Sequence, residues 1–174
     1  GMIQKAAQAL AASSDAASVL EVRMVADTVY AMAKEASRMA KAQAAHDEVV
    51  RAAHKAQGDA LDIKAAASKR YYEMTQAAIA AGELNGRGGD RRSDDFKLEN
   101  AQIENAEQHY EVNREGKRVA EAEAREPGIV RRAIDEALDD GRAPTKADIK
   151  RAVGPSEYLN KRAAEEEQVM RDAR

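Results

Sequence analysis

Residues 16–57 read AASVLEVRMVADTVYAMAKEASRMAKAQAAHDEVVRAAHKAQ, with neither proline nor glycine. A single helix over this stretch would run roughly 60 Å at about 1.5 Å per residue. Within it Val22, Val25, Val29, Met32, Ala36, Met39, Gln43, His46, Val50 and Ala53 recur at alternating steps of three and four. That spacing is the a/d seam of a coiled coil. Val22, Val29, Ala36, Gln43 and Val50 take one seam position, and Val25, Met32, Met39, His46 and Ala53 the other. Flanking alanines allow close approach of a second helix. The Gln43/His46 layer is either a register-setting polar pair or a tolerated hydrated one.

Working outward, residues 2–12 are rich in Ala, Gln and Leu, and Ser13, Ser14 and Asp15 are N-cap types that open the long helix. On the other side Gly58-Asp59 interrupts it, and a second helical run covers 60–81. Its stripe is Ala60, Ile63, Ala67, Tyr71, Met74, Ala78 and Ala81. The two runs form an antiparallel hairpin or one kinked rod; periodicity fits both.

Residues 82–95, GELNGRGGDRRSDD, hold four glycines and a charge cluster. No helix survives that composition, so it marks a boundary. The expected organisation is a helical oligomerisation region over 2–81, a Gly/Arg linker over 82–95 and a small multi-helix unit over 96–174. In that last unit one helix covers 98–110, and Glu111-Val112-Asn113 forms a turn. A second helix covers 114–125, despite Gly116. A third, with Pro127 at its first position, carries Ile129, Val130, Ala133, Ile134, Ala137 and Leu138, and Gly141 stops it. Thr145 with Asp148 resembles a capping box for a short helix bearing Ile149 and Val153. Gly154-Pro155 ends that helix, and a charged one follows over 156–172. The fold class is all-α.

Hydrophobic residues make up 44% of the chain, but many are alanine, with one Phe, five Tyr and no Trp. Alanine buries little apolar area, so the core is thin. Such helices pack closely together or complete their core against another chain, and a homo-oligomer, a dimer by preference, is expected. Charged residues make up 34% with a net charge of −3, so any case for nucleic acid must be local. The absence of cysteine excludes disulfides and thiolate metal sites and fits a reducing, cytoplasmic setting. No apolar run approaches the roughly 18 residues of a membrane span, and no signal-peptide pattern opens the chain, so no membrane partner is expected.

Nothing assembles a catalytic site. There is no G-x-S-x-G and no H-E-x-x-H; His46 and His54 stand two helical turns apart, too far for one ion. No enzyme activity, metal or cofactor is expected. Two features point to DNA instead. The linker carries Arg87, Arg91 and Arg92, offset by Asp90, Asp94 and Asp95, and no Gly-Lys-Ser/Thr follows its glycines to make a P-loop. A mobile arginine arm reaches phosphates. The second feature is a helix ending at Tyr110, a short turn, then a basic helix. A helix-turn-helix puts its second helix in the major groove, which makes Arg114, Lys117 and Arg118 the readers. Glu115, Glu121 and Glu123 share that helix, and the turn has no glycine. Arg91, Arg92, Lys146, Lys150 and Arg151 would hold phosphates.

The order of an Ala-rich helical region, Gly86-Arg87-Gly88-Gly89-Asp90-Arg91-Arg92-Ser93, then a helical segment resembles small uncharacterised proteins of bacterial phages and prophages. In those, a GRGGDRKS-like linker precedes a segment similar to the helix-turn-helix of ParB-type partition proteins. The stretches 107–114 and 127–132 carry looser parts of the likeness. The resemblance implies a mobile-element protein that touches double-stranded DNA as a regulator. The alternative is a coiled-coil adaptor or scaffold that binds another protein and no nucleic acid.

Overall fold

The computed structural model describes residues 1–82 and 106–155. Among them the chain is all-α, with six helices: α1 (Met2–Ala12), α2 (Ala16–Ala42), α3 (Asp47–Ala80), α4 (Ala106–Arg125), α5 (Ile129–Asp139) and α6 (Lys146–Val153). The linker arginines Arg91 and Arg92, most of the 98–110 helix and the 156–172 helix lie outside the described residues.

Several helix ends fall where their local chemistry places them. Asp15 caps α2 by accepting from the Ser18 backbone N–H at 2.8 Å and from its hydroxyl at 2.7 Å. Thr145 and Asp148 form the expected capping box at the start of α6, and α6 stops at Gly154. Gly141, at φ 72°, closes α5 with Arg142 N–H bonded back to the Ala137 carbonyl at 3.0 Å. Pro127 is not the first residue of α5; it stands in the turn before Gly128, the N-cap. The start of α5 is held instead by Glu123, whose carboxylate accepts from the N–H groups of Gly128 (2.8 Å) and Val130 (3.3 Å).

The break between the first two long helices is not at Gly58-Asp59. α2 ends at Ala42, and α3 runs unbroken through Gly58. The turn is built from Gln43, Ala44, Ala45 and His46. Ala44 sits at φ 49°, and the Ala45 N–H reaches the Ala40 carbonyl at 2.9 Å while the Ala44 N–H reaches Lys41 at 3.2 Å. This is a Schellman closure with alanine at the position glycine usually holds. Gly58 is instead a packing notch: a Cβ there would stand 2.6 Å from Ile134 Cγ2 and 3.4 Å from Pro144 Cγ. The cost of glycine in a helix, about 1 kcal/mol, is offset by the close seating of α5.

α2 and α3 form the antiparallel hairpin, not the rod. The pairs Arg23–Ser68 and Asp27–Lys64 step in opposite directions along the two helices. The hairpin changes the reading of the seam. Val22 and Val29 are buried inside this chain, whereas Val25, Met32, Met39 and His46 are exposed and Val50 is half-buried. The inward face of α2 is Val19, Val22, Ala26, Val29, Ala33 and Ala40, a stripe rotated from the expected one. Alanine on both flanks lets one sequence satisfy two phases of the same period.

Nor does the glycine-rich stretch separate two cores. One apolar cluster joins Val29 and Tyr30 of α2, Ala60, Leu61 and Ala65 of α3, Val119 and Ala122 of α4, Val130 and Ile134 of α5, and Val153 of α6. A second joins Val19, Leu20, Ala67, Tyr71 and Val112. The expected turn at Glu111-Val112-Asn113 is absent: α4 is continuous there, and Val112 is buried against α2 and α3. An apolar anchor at 112 holds this segment helical.

Polar contacts cross the same interfaces. Arg23, buried, donates to Ser68 Oγ at 3.0 Å and to Glu115 at 2.6 Å, so one guanidinium ties α2, α3 and α4. Arg70 donates to the Leu10 carbonyl at 2.8 Å and also to the Ser13 carbonyl, occupying the open end of α1. Tyr71 Oη lies 2.5 Å from His109 Nδ1.

Candidate nucleic-acid interface

α6 is short, but it is fixed at both ends and along one side. Its capping box secures the start, and Arg125 of α4 donates to the Val153 carbonyl at 3.3 Å. Val153 is in the core and Ile149 packs against it. The opposite side of α6 is exposed and carries Lys146, Ala147, Lys150 and Arg151. The only carboxylate within α6, Asp148, is buried. Burial alone raises its pKa, but hydrogen bonds from Thr145 and Arg142 outweigh that and hold it below the usual aspartate value.

Two hollows lie beside α6, one along its exposed side and one that it meets through Lys146. One, of about 460 Å³, lies against α4 and is lined by Arg118, Ala147, Lys150, Arg151, Gly154 and Pro155. Arg118 is half-buried there, and its Nε is buried without a hydrogen-bond partner among the described residues. The other, of about 770 Å³, lies against α2; Lys34, Arg38, Lys41 and Lys146 line it, with Asp27, Glu35 and Tyr30. Lys34, Arg38 and Lys41 follow one another at helical spacing, a row about 10 Å long.

Lys146 anchors this second hollow. Its Nζ donates to Asp27 at 2.6 Å and stands 5.4 Å from the centre of the Tyr30 ring. The hydrogen bond to Asp27 raises its pKa, so it stays charged. Asp27 also accepts from the buried Lys64 at 2.9 Å. Burial pushes Asp27 up, but the two lysines outweigh it and hold it below the usual range. Arg38 pairs with Glu35 at 2.8 Å on an open surface, a contact worth little. Lys34, Lys41 and Lys150 make no ion pair among the described residues.

The expected DNA contacts are thus sorted. Arg118, Lys146, Lys150 and Arg151 come together around α6. Arg151 keeps a 3.4 Å contact to Asp148 and remains largely exposed. Arg114 is exposed on α4, and Lys117 pairs with Glu121 at 3.6 Å. With the turn missing, α4 offers no separate recognition helix. Glu115 and Glu123 are engaged by Arg23 and by the start of α5. Other basic residues are tied up: Arg131 with Asp59 and Asp135, Arg132 with Glu126, Arg142 with Asp148. Sequence reasoning missed Lys34, Arg38 and Lys41. Their spacing of four and three was readable, but the seam reading drew attention to the next face of the helix.

That face is a second feature. Met24, Val25, Met32 and Met39 lie between 38% and 58% exposed along α2, an apolar strip apart from the basic row. Among the described residues no helix is long and apolar enough to cross a membrane, and no cluster of three His, Asp or Glu side chains is placed to hold a metal.

Comparison with known protein families, curated proteins and solved structures gives no match for this chain.

Proposed function

We propose that this chain binds DNA through its phosphates, on the face that α6 makes with the flanks of α2 and α4. The observation that carries the proposal is the placing of Lys150 and Arg151 on the exposed side of α6, with Lys146, paired to Asp27, at its start, between a row of α2 cations and Arg118. Cations spaced along a surface replace the counterions condensed on a phosphate backbone, and their release drives binding. The resemblance of the linker to phage and prophage proteins supplies a setting, a regulatory protein of a mobile element.

The test is binding of the full chain to a labelled duplex, followed by anisotropy between about 50 and 200 mM salt. Affinity is expected to fall steeply with salt. Replacing Lys34, Arg38 and Lys41 together with Glu should weaken binding more than tenfold and reduce the salt slope by about 3. Lys117→Glu, whose residue already faces Glu121, should change little. Absence of binding to any duplex at low salt ends the proposal.

The exposed Met24/Val25/Met32/Met39 strip favours a second reading, an adaptor that binds another protein. Methionine-rich surfaces repack readily against varied partners. Recovery of a stoichiometric protein partner by a chain that shows no DNA affinity would decide for it.

A further inference from the structure

We infer that α6 is the element that enters the major groove of duplex DNA, while the two sugar–phosphate ridges bounding that groove seat in the cationic hollows beside it. The inference rests on the DNA-binding reading and adds the form of the ligand and the way it docks.

The shape argues for it. A groove about 12 Å wide and 8.5 Å deep admits one helix and has a phosphate ridge on either side. α6 is eight residues, about 12 Å, long; Ala147, Lys150 and Arg151 line the first hollow, and Lys146 at its start reaches the second. Each hollow has a cation on the wall far from α6: Arg118 of α4 on one side, and Lys34, Arg38 and Lys41 of α2, outnumbering Asp27 and Glu35, on the other. A lone basic patch would suit any polyanion; two on either side of a helix with one exposed face suit a duplex.

The side chains agree with the shape. Lys150 and Arg151 are donors of the kind that reach guanine O6 and N7, and Ala147 between them leaves room for base edges and meets a thymine methyl. The buried Asp148 keeps its carboxylate on Thr145, Arg142 and Arg151. Single strands are held by stacking bases on exposed aromatic rings. Among the described residues, Tyr30, which lines the second hollow, is buried beneath Lys146, and the exposed Tyr110 lies on α4, away from both linings.

The experiment uses the full chain, a mixed-sequence duplex two helical turns long and one of its strands alone. Dimethyl sulfate reports guanine N7 in the major groove and adenine N3 in the minor groove. The duplex should bind at least tenfold more tightly than the strand, with guanine N7 protected and adenine N3 open. Ala147→Tyr keeps every cation but fills the tip of α6; it should cost at least tenfold in duplex affinity. If that variant loses helical circular dichroism, Lys150→Ala with Arg151→Ala serves instead and should reopen guanine N7. Protection of adenine N3 alone, equal affinity for the single strand, or a folded Ala147→Tyr variant that binds like the parent overturns the inference and leaves the DNA-binding reading standing. No binding to duplex or strand overturns both.

Discussion

Gly116 of α4 lies directly on the backbone of Ser68 in α3: a Cβ at 116 would stand 2.0 Å from the Ser68 carbonyl oxygen and 2.8 Å from Tyr72 Cβ. A backbone atom cannot swing aside as a flexible side chain does. Gly116→Ala therefore has to part the two helices that bury Val112, Val119 and Ala122. We expect a loss of about 3 kcal/mol, the upper end of overpacking costs, read as a drop in the urea midpoint. An exposed helical glycine would respond the other way, gaining about 1 kcal/mol. A gain in stability in place of a loss would overturn the close α3–α4 contact at Gly116.

Ala44 has the opposite problem. It holds φ 49° in an exposed turn, where its Cβ crowds the backbone. Ala44→Gly removes that strain at the end of α2 and should stabilise the hairpin by about 0.5–1 kcal/mol, part of the gain being offset by the freer unfolded chain. Thermal unfolding of the two proteins side by side checks it; a lower midpoint for the glycine variant would place the helix break elsewhere.

Arg23 is buried and answered by Glu115 and Ser68. Glu115→Ala leaves the guanidinium with no carboxylate nearer than Asp27 at 4.0 Å and should cost about 2 kcal/mol. Arg23→Met in the same chain removes the stranded charge and should recover much of that loss. A double variant no better than Glu115→Ala alone would show that the two residues do not share one interaction.

Burial lowers the pKa of His54, with the charge of Lys41 adding to it, and burial likewise lowers that of His109. In the unfolded chain both titrate near about 6.5. Stability is therefore fully present above about 6.5 and is lost as the pH falls toward the lowered folded values, because the unfolded chain takes up protons first. The lowered carboxylates Asp27 and Asp148 act only in more acid solution. Urea midpoints should fall between about pH 7.5 and 5.5, and His54→Gln should flatten the fall. Identical midpoints across that range would mean the two imidazoles are open to water.

Much of the helix plan was legible in local sequence. Asp15, the Thr145/Asp148 box and the stops at Gly141 and Gly154 act through hydrogen bonds within a few residues, so their chemistry is complete in the sequence around them. The two glycines at 58 and 116 show the limit. Read alone they are weak points in a helix; against Ile134 and Ser68 they are the places where helices touch. The same limit misplaced the turn at 111–113, where the burial of Val112 outweighs a locally turn-like sequence.

The candidate site divides in the same way. That residues 142–151 form a basic segment needs no fold to see. Which cations are spoken for depends on where carboxylates arrive from distant parts of the chain. Lys117 meets Glu121 within its own helix, while Lys146 meets Asp27 across more than a hundred residues.

By itself, then, the sequence determined that the chain is helical, where several helices start and stop, and that α2 carries an apolar stripe. Helix formation and capping are short-range, and a period of three and four survives any packing. Only the tertiary structure decided which side of α2 is inside, because alanine fits either side of a helix and burial is conferred by the neighbour. It alone set the row Lys34–Arg38–Lys41 opposite α6, since that meeting depends on the antiparallel return of α3 and the seating of α5 on Gly58.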